Sequence, residues 1–425
     1  MNILILGSGG REHAIAWKIK QSPLCKKLYI APGNAGTGLC GENININPTD
    51  FIKTGQFVKE KKIDILVVGP EEPLVKGIAD YFSNNEELKN TAVIGPDSYS
   101  AKLEGSKDFA KSFMNKYKIP TSKYKSFNNE TLDEGLEFLR SLNPPYVLKA
   151  DGLAAGKGVL ICKTLQEAQS YLKKMINERM FGSASDCVVI EEYLNGTELS
   201  VFIATDGENY IQLPEAKDYK RIGEGETGPN TGGMGCVSPV PTANKPFMEK
   251  VRKRIIEPTI EGLINENFDY KGFLFFGLMN VNGEPYVIEY NVRLGDPEAE
   301  VILPRIDSDF VQLLKHISNK TLNQYKVEIR KDFAATIMLA SEGYPGKYEK
   351  GLDINNADSI KNSIVFYAGV KQQNDTLKTS GGRVMAITSL DSSLEKAVSK
   401  SISNAEIIDF KGKYYRKDIG NDLIQ

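Results

Sequence analysis

Histidine is almost absent from this chain: among 425 residues there are only two, His13 and His316. Imidazole-based zinc centres and Ser-His-Asp catalysis both need a histidine among specific neighbours, so both chemistries are poorly supplied here. Cysteine is also sparse. Cys25, Cys40, Cys162, Cys187 and Cys236 are odd in number, dispersed and without any C-x-x-C spacing, which favours reduced thiols over a disulfide framework. No apolar run reaches membrane-spanning length, and Met1-Asn2-Ile3-Leu4-Ile5-Leu6 runs into a glycine turn instead of a signal-peptide pattern. A cytoplasmic location without a membrane partner is expected. Charge of one sign is lacking too: 53 Lys and Arg against 55 Asp and Glu leave a formal net charge of -2. No global field favours nucleic acid, so any phosphate must be gripped locally.

What is present is a globular composition, 41% hydrophobic and 25% charged, long enough for about three domains of ~150 residues. The first hundred residues alternate strand and helix signals, with apolar runs at 3–6, 28–30, 63–68 and 92–94, and this predicts a doubly wound parallel sheet. Its strands end in Gly7-Ser8-Gly9-Gly10, Ala31-Pro32-Gly33-Asn34, Gly69-Pro70-Glu71 and Gly95-Pro96, turns that converge on the ligand-binding edge of open α/β sheets. A dinucleotide site is the rival reading. It would need glycine where Glu12 stands and an acidic residue closing the second strand, where Ile30 leads into Ala31-Pro32.

The stretch Val147 to Val159, VLKADGLAAGKGV, raises the question of a phosphate loop. Walker A spacing fails, since only three residues separate Gly152 from Gly156 and Gly158 follows Lys157 where Ser or Thr is required. The apolar run at 159–162 and the Thr164-x-x-Glu167 capping box then predict a loop between two antiparallel strands, either a lid over phosphates or an ordinary glycine hairpin. Farther on, GEGETGPNTGGMG at 223–235 is too glycine-rich for regular structure. Strands at 273–281 and 286–290 deliver Glu289, Asn291 and Arg293 to one face. The third region shows strands at 334–340, 364–370 and 384–388 and a helix at 393–403. Expected boundaries are 1–104, 105–328 with a lid subdomain at about 121–190, and 329–425.

The lid loop, the Glu191-Glu192 strand end and Glu289-x-Asn291-x-Arg293 together resemble the ATP-grasp ligases. GSGGREHAIAW, APGNAGT, VGPEEPLVKG, TGPNTGGMG, NVRLGDPE and YRKDIG narrow the resemblance to the phosphoribosylamine–glycine ligases of purine synthesis, in family order across nearly the whole chain. The fold class so implied is α/β and α+β multidomain: an N-terminal doubly wound parallel sheet, a central ATP-grasp module with a small lid, and a C-terminal mixed α/β domain. The implied reaction joins glycine to 5-phosphoribosylamine at the expense of ATP, through a glycyl phosphate, in a monomer with magnesium or manganese. Another ATP-grasp carboxylate–amine ligase or carboxylase is the nearest alternative, and a non-catalytic nucleotide sensor is a further one.

The resemblance also implies roles. Lys107, Lys149, Gly156 and Lys157 would contact ATP phosphates, with Glu191, Glu192, Leu194 and Glu198 around adenosine. Glu289 and Asn291 would hold the metal. Gly9, Gly10, Arg11, Glu12, Asn34 and Glu71 would meet the sugar phosphate. Asp218, Gly232, Gly233 and Arg383 would complete the substrate site, with Arg293 and Lys149 serving the transfer itself. Two departures stand out: Tyr219 occupies a position where the family has histidine, and residues 273–279 carry no acidic side chain.

Overall fold

The computed structural model describes residues 1–153 and 158–424. Its first sheet is parallel throughout, in the order Glu42–Asn43, Lys27–Pro32, Asn2–Gly7, Ile65–Val68, Ala92–Ile94. The apolar run of the central strand follows from this placement. Ile3, Leu4, Ile5 and Leu6 are all fully buried, as a strand covered on both faces requires.

The lid is a separate antiparallel sheet, ordered Tyr124–Phe127, Val188–Glu192, Tyr146–Ala150, Val159–Cys162. The glycine loop therefore joins two antiparallel strands, as its flanks predict, although Ala154 to Lys157 themselves lie outside the described residues. Helices Leu132–Arg140 and Leu165–Asn177 cover one face, with Leu148, Ala150, Val188 and Ile190 in the apolar cluster between. By strand alternation Lys149 and Glu191 face the opposite way. The Thr164 cap forms, its hydroxyl accepting from Glu167 N–H at 3.2 Å, while the Glu167 carboxylate reaches one residue farther back, to Lys163 N–H at 2.8 Å.

The central sheet runs Tyr210–Gln212, Thr197–Thr205, Gly272–Val281, Glu284–Asn291. Asn282 and Gly283, with φ of 52° and 83°, form a two-residue turn that pairs Val281 with Glu284, the conformation Asn-Gly favours in hairpins. A bulge after Leu278–Val287 brings Glu289 opposite Gly277. A side chain on Gly277 would lie 3.0 Å from Glu289 Cγ, so glycine leaves that carboxylate its room.

Phe333–Ser341, Arg383–Asp391 and Ile364–Tyr367 build the C-terminal sheet, and two strands of the central region, Lys217–Asp218 and Gly235–Ser238, join it. Central and C-terminal segments thus share hydrogen bonds, which apolar periodicity alone does not reveal. Among the described residues, no helix is long and apolar enough to cross a membrane.

The first region is tied to the third through His13, which is buried, edge-on to the rings of Phe366 and Tyr367, and accepts the Tyr367 N–H on Nδ1 at 2.8 Å. Burial pushes its pKa down to about 4. The unfolded chain, with an ordinary histidine, binds the extra proton first, so this contribution is full above the usual pKa near 6.5 and is lost as pH falls toward about 4. We predict that His13→Asn, which keeps an acceptor but cannot titrate, flattens the fall in Tm across that interval, the wild-type penalty being up to about 3 kcal/mol. Parallel pH profiles of the two proteins would refute it.

Candidate active site

Two charge clusters meet where the first sheet, the lid and the Glu284–Asn291 strand converge. The first is built on Glu191. Its carboxylate lies 2.8 Å from Lys149 Nζ and 2.9 Å from Lys111 Nζ, and it accepts from Ser122 Oγ at 2.6 Å, all four side chains being buried. Burial alone would raise its pKa, but the two lysines hold it down at about 2. Lys111 falls to about 8, chiefly through burial. Lys149 also donates to Ile288 O at 3.3 Å, so its ammonium is aimed at the Glu284–Asn291 strand. Lys107 opens the helix Lys107–Lys116 and donates to Gly152 O at 3.0 Å. Asp151 accepts from Ser106 Oγ and Asp108 N–H, both at 3.1 Å, fastening the lid strand to that helix start.

Glu289 has no ion-pair partner within 4 Å among the described residues. Burial opposes its charge, yet Lys220, Lys149, Lys107 and Arg293 together keep its pKa below the ordinary value. Lys220 pairs with Glu198 at 3.0 Å and is pushed upward, mainly by that carboxylate. Glu198, Lys220, Asp218, Ile288 and Glu289 line one narrow cleft.

The second cluster centres on Arg293. It donates to Glu104 Oε1 at 2.8 Å and Asn291 Oδ1 at 2.9 Å, and lies 3.7 Å from Glu71. Its buried Nε has no hydrogen-bond partner. Burial raises the Glu104 pKa despite Arg293. Arg11 donates to Glu12 at 2.7 Å and to Leu294 O at 3.2 Å. Although burial opposes its charge, Glu12, Asp296 and Glu71 strengthen the cation. Arg383 reaches Asp296 Oδ1 at 2.9 Å and Gly232 O at 2.5 Å. Behind these cations lie carboxylates with the opposite tendency. Burial and then mutual repulsion raise Asp218, beside Glu298, and Glu300, beside Asp296. Burial likewise raises Glu298, which accepts from Ser200 Oγ at 3.0 Å.

The sequence-derived residues are therefore largely brought together, though several differ in what they present. Glu12 plugs the gap between two strand-end turns. It accepts Gly9 N–H at 2.6 Å, and side chains on Gly7 or Gly69 would come within 2.5 Å of its Cγ. The Asn34 amide is consumed by its own loop and by Ser8 O and Tyr367 O. Glu191 is a buried support for Lys149 instead of an open adenine contact. Glu192 accepts Lys123 N–H at 2.8 Å at the lid edge, and Leu194 follows in a half-buried loop. Gly9 and Gly10 pack over Asp296 and Glu300. Gly233, at φ +112°, sits so close to Pro297 and Asp218 that a side chain would lie 2.6 Å from Asp218 Oδ1. Gly156 and Lys157 lie outside the described residues. Tyr219 points away from Asp218 and donates to Asp422 Oδ1 at 2.6 Å. Sequence reasoning missed Glu104, Lys111, Lys220, Asp296, Glu298 and Glu300. Lys111 carried a signal, standing one helical turn beyond Lys107.

Against this geometry the comparisons with known proteins are decisive. Models of the phosphoribosylglycinamide synthetase N domain, ATP-grasp (A) domain and C domain match residues 1–104, 105–299 and 334–422. The chain belongs to the phosphoribosylglycinamide synthetase family. It is 45% identical to the phosphoribosylamine–glycine ligase of Fusobacterium nucleatum, over 99% of this chain and 98% of that protein. It is 44% identical to the Haemophilus influenzae enzyme of the same name, over 100% and 99%. The crystal structure of the Thermotoga maritima phosphoribosylamine–glycine ligase superposes with a TM-score of 0.85 at 37% identity, covering 98% of this chain and all of that one. The biotin carboxylase domain of Hydrogenobacter thermophilus 2-oxoglutarate carboxylase, solved with MgADP, shares the fold at TM-score 0.73 and 17% identity, over 98% and 92%.

Removing the anion between two buried lysines leaves uncompensated charge, so we predict that Glu191→Ala loses about 3–5 kcal/mol of stability in urea unfolding. Lys111→Met should cost less, because Lys149 still pairs with Glu191. A Glu191→Ala protein as stable as the wild type would show that the pair carries no such strain.

Proposed function

We propose that this chain joins glycine to 5-phosphoribosylamine, converting ATP to ADP and phosphate and giving glycinamide ribonucleotide in purine biosynthesis. The observation that carries the reading is the grouping of Lys107, Lys149, Lys220 and Arg293 around Glu289 and Asn291, next to the strand-end turns of the first sheet. Phosphates suit the cations, and a phosphorylated sugar suits the Gly9-Gly10-Arg11 helix start. Glu289 and Asn291 supply oxygen donors of the kind magnesium or manganese takes when nucleotide phosphates and water complete the shell. A metal held there would neutralise charge on the transferring phosphoryl group.

In this reading a glycine carboxylate oxygen attacks the γ-phosphorus of ATP and ADP leaves. The ribosylamine nitrogen then attacks the acyl carbon of glycyl phosphate, phosphate departs, and the amine loses a proton. Lys149, oriented by Glu191, and Arg293, oriented by Glu104, hold charge where phosphate oxygens develop it. Asp218, beside Gly232 and Gly233, faces the glycine ammonium. Glu198 and the Glu192–Leu194 edge face adenosine, while Arg11, Glu71 and Arg383 face the sugar phosphate. Residues 1–104 thus serve the sugar phosphate, 105–328 serve ATP and glycine, and 329–425 close the site. In this reading the enzyme acts in the cytoplasm as a monomer, each named group of the site being drawn from the same chain.

Purified protein should release ADP from ATP and magnesium only when glycine and freshly generated phosphoribosylamine are both present. Bicarbonate-dependent release would favour a carboxylase, and ATP binding without release a sensor. Glycine labelled with heavy oxygen in its carboxylate should pass one labelled oxygen per turnover into inorganic phosphate. Label retained wholly in product and residual glycine would sink the acyl phosphate. Lys149→Ala and Glu289→Gln should each lower turnover at least about 100-fold with the circular dichroism spectrum unchanged. Near-normal turnover in either would remove its assigned role.

A further inference from the structure

Residues 221–230 form a two-stranded hairpin, Arg221–Gly223 against Thr227–Asn230, the second strand fully exposed. Two strands alone are marginal in water, so this segment needs an external hold. The C-terminal tail provides one. Arg416, 1% exposed, donates from Nε and Nη2 to the two Asp418 oxygens at 2.8 Å each and from Nη1 to Arg221 O at 3.0 Å, and lies 2.7 Å from Glu226 Oε1. Asp418 accepts Gly225 N–H at 2.8 Å, Tyr414 Oη donates to Ile222 O at 2.8 Å, and Lys417 N–H donates to Glu224 at 3.0 Å. The Arg416 guanidinium also stands 5.4 Å above the Tyr219 ring. The hairpin ends are fixed to the site: Thr231 N–H donates to Lys220 O at 2.7 Å, Met234 N–H to Tyr219 O at 2.8 Å, and Arg383 to Gly232 O.

We propose that Arg416 is a positioning residue for glycine, holding the 217–233 segment so that Asp218, Gly232 and Gly233 keep their places. This rests on the assignment of glycine to those residues. It gives YRKDIG, which touches no other part of the site, a purpose in the reaction. A guanidinium is suited to it because three acceptors lie in different directions around one plane, which a lysine ammonium cannot match.

The test is steady-state kinetics of the full chain together with amide hydrogen exchange. In Arg416→Met the KM for glycine should rise about tenfold, the scale of losing charged hydrogen bonds, while the KM for ATP and kcat change little. Amides of residues 221–233 should exchange faster while those of Thr197–Thr205 and Gly272–Val281 do not. Arg416→Lys should stay close to Arg416→Met. Should the variant not fold, Tyr414→Phe removes only the bond to Ile222 O and should raise the glycine KM about threefold. An unchanged glycine KM in a folded variant overturns the proposal, even if local exchange quickens, as does a fall in kcat with exchange raised throughout. A wild-type enzyme without glycine-dependent ADP release would instead defeat the functional reading itself.

Discussion

The guanidinium of Arg293 is the point on which the site's geometry depends. One side chain touches Glu104 and Asn291 and approaches Glu71, so it joins a turn of the first sheet and the last helical turn of the first region to the strand bearing Glu289. A guanidinium drawn partly out of water is costly unless acceptors compensate it, and here Glu104 and Asn291 do so only when these segments are correctly assembled, while the buried Nε is left without a hydrogen bond. The cost of desolvation is thereby converted into register. The same logic holds for Lys149, whose partner Glu191 sits on the adjacent lid strand and is itself braced by Lys111 from a helix.

Around this point the carboxylates divide according to their neighbours. Glu191 and Glu289 lie among cations and are held ionised, whereas Asp218 beside Glu298, Glu300 beside Asp296, and Glu298 through burial are all driven toward protonation. Burial acts in the same direction on all five, so the difference comes from arrangement. The half rich in cations suits phosphate oxygens, and the half rich in carboxyl groups suits a group that brings positive charge or exchangeable hydrogen. A reaction between a triphosphate, an amino acid and an amine needs both halves within reach of one another.

Much of this was legible in residue order because several signals are local. Asn282-Gly283 specified its turn, Thr164-x-x-Glu167 its helix start, and the 3–6 apolar run its buried strand. Strand alternation set Glu289 and Asn291 on one face, whereas Arg293, expected to continue that alternation, lies beyond the end of the Glu284–Asn291 strand. What escaped was long-range. Nothing near Glu191 in sequence says that Lys111 will cross to it, and nothing near Asn34 says that Tyr367 O will take its amide. Glu300 is fully buried in the Glu298–Arg305 helix, and the missing side chain of Gly10, 290 positions away, leaves room for its carboxylate. Pairing of Gly235–Ser238 with Phe333–Ser341 is likewise invisible to periodicity, since both strands are buried on both faces nearly throughout and show no in-out alternation.

The scarcity of histidine then has a structural counterpart. His13 spends its one acceptor on Tyr367 N–H inside a buried aromatic contact, and His316 stacks on Tyr325 while bonding to Thr321. Both imidazoles are committed to packing, and where the family has histidine Tyr219 is turned toward Asp422. The ionisable groups that remain around the site are carboxylates, lysines and arginines, and burial shifts several of the carboxyl groups upward. Asp218 and Glu298 are both raised chiefly by burial, Asp218 further by Glu298, with Lys220 opposing the shift in each, and a carboxylate raised in this way is a stronger base than an ordinary one. An acyl phosphate asks little of such a base, since phosphate is already a good leaving group. A chain with its histidines spent elsewhere can therefore still run a ligation of this kind, in which positioning and charge neutralisation count for more than an imidazole base.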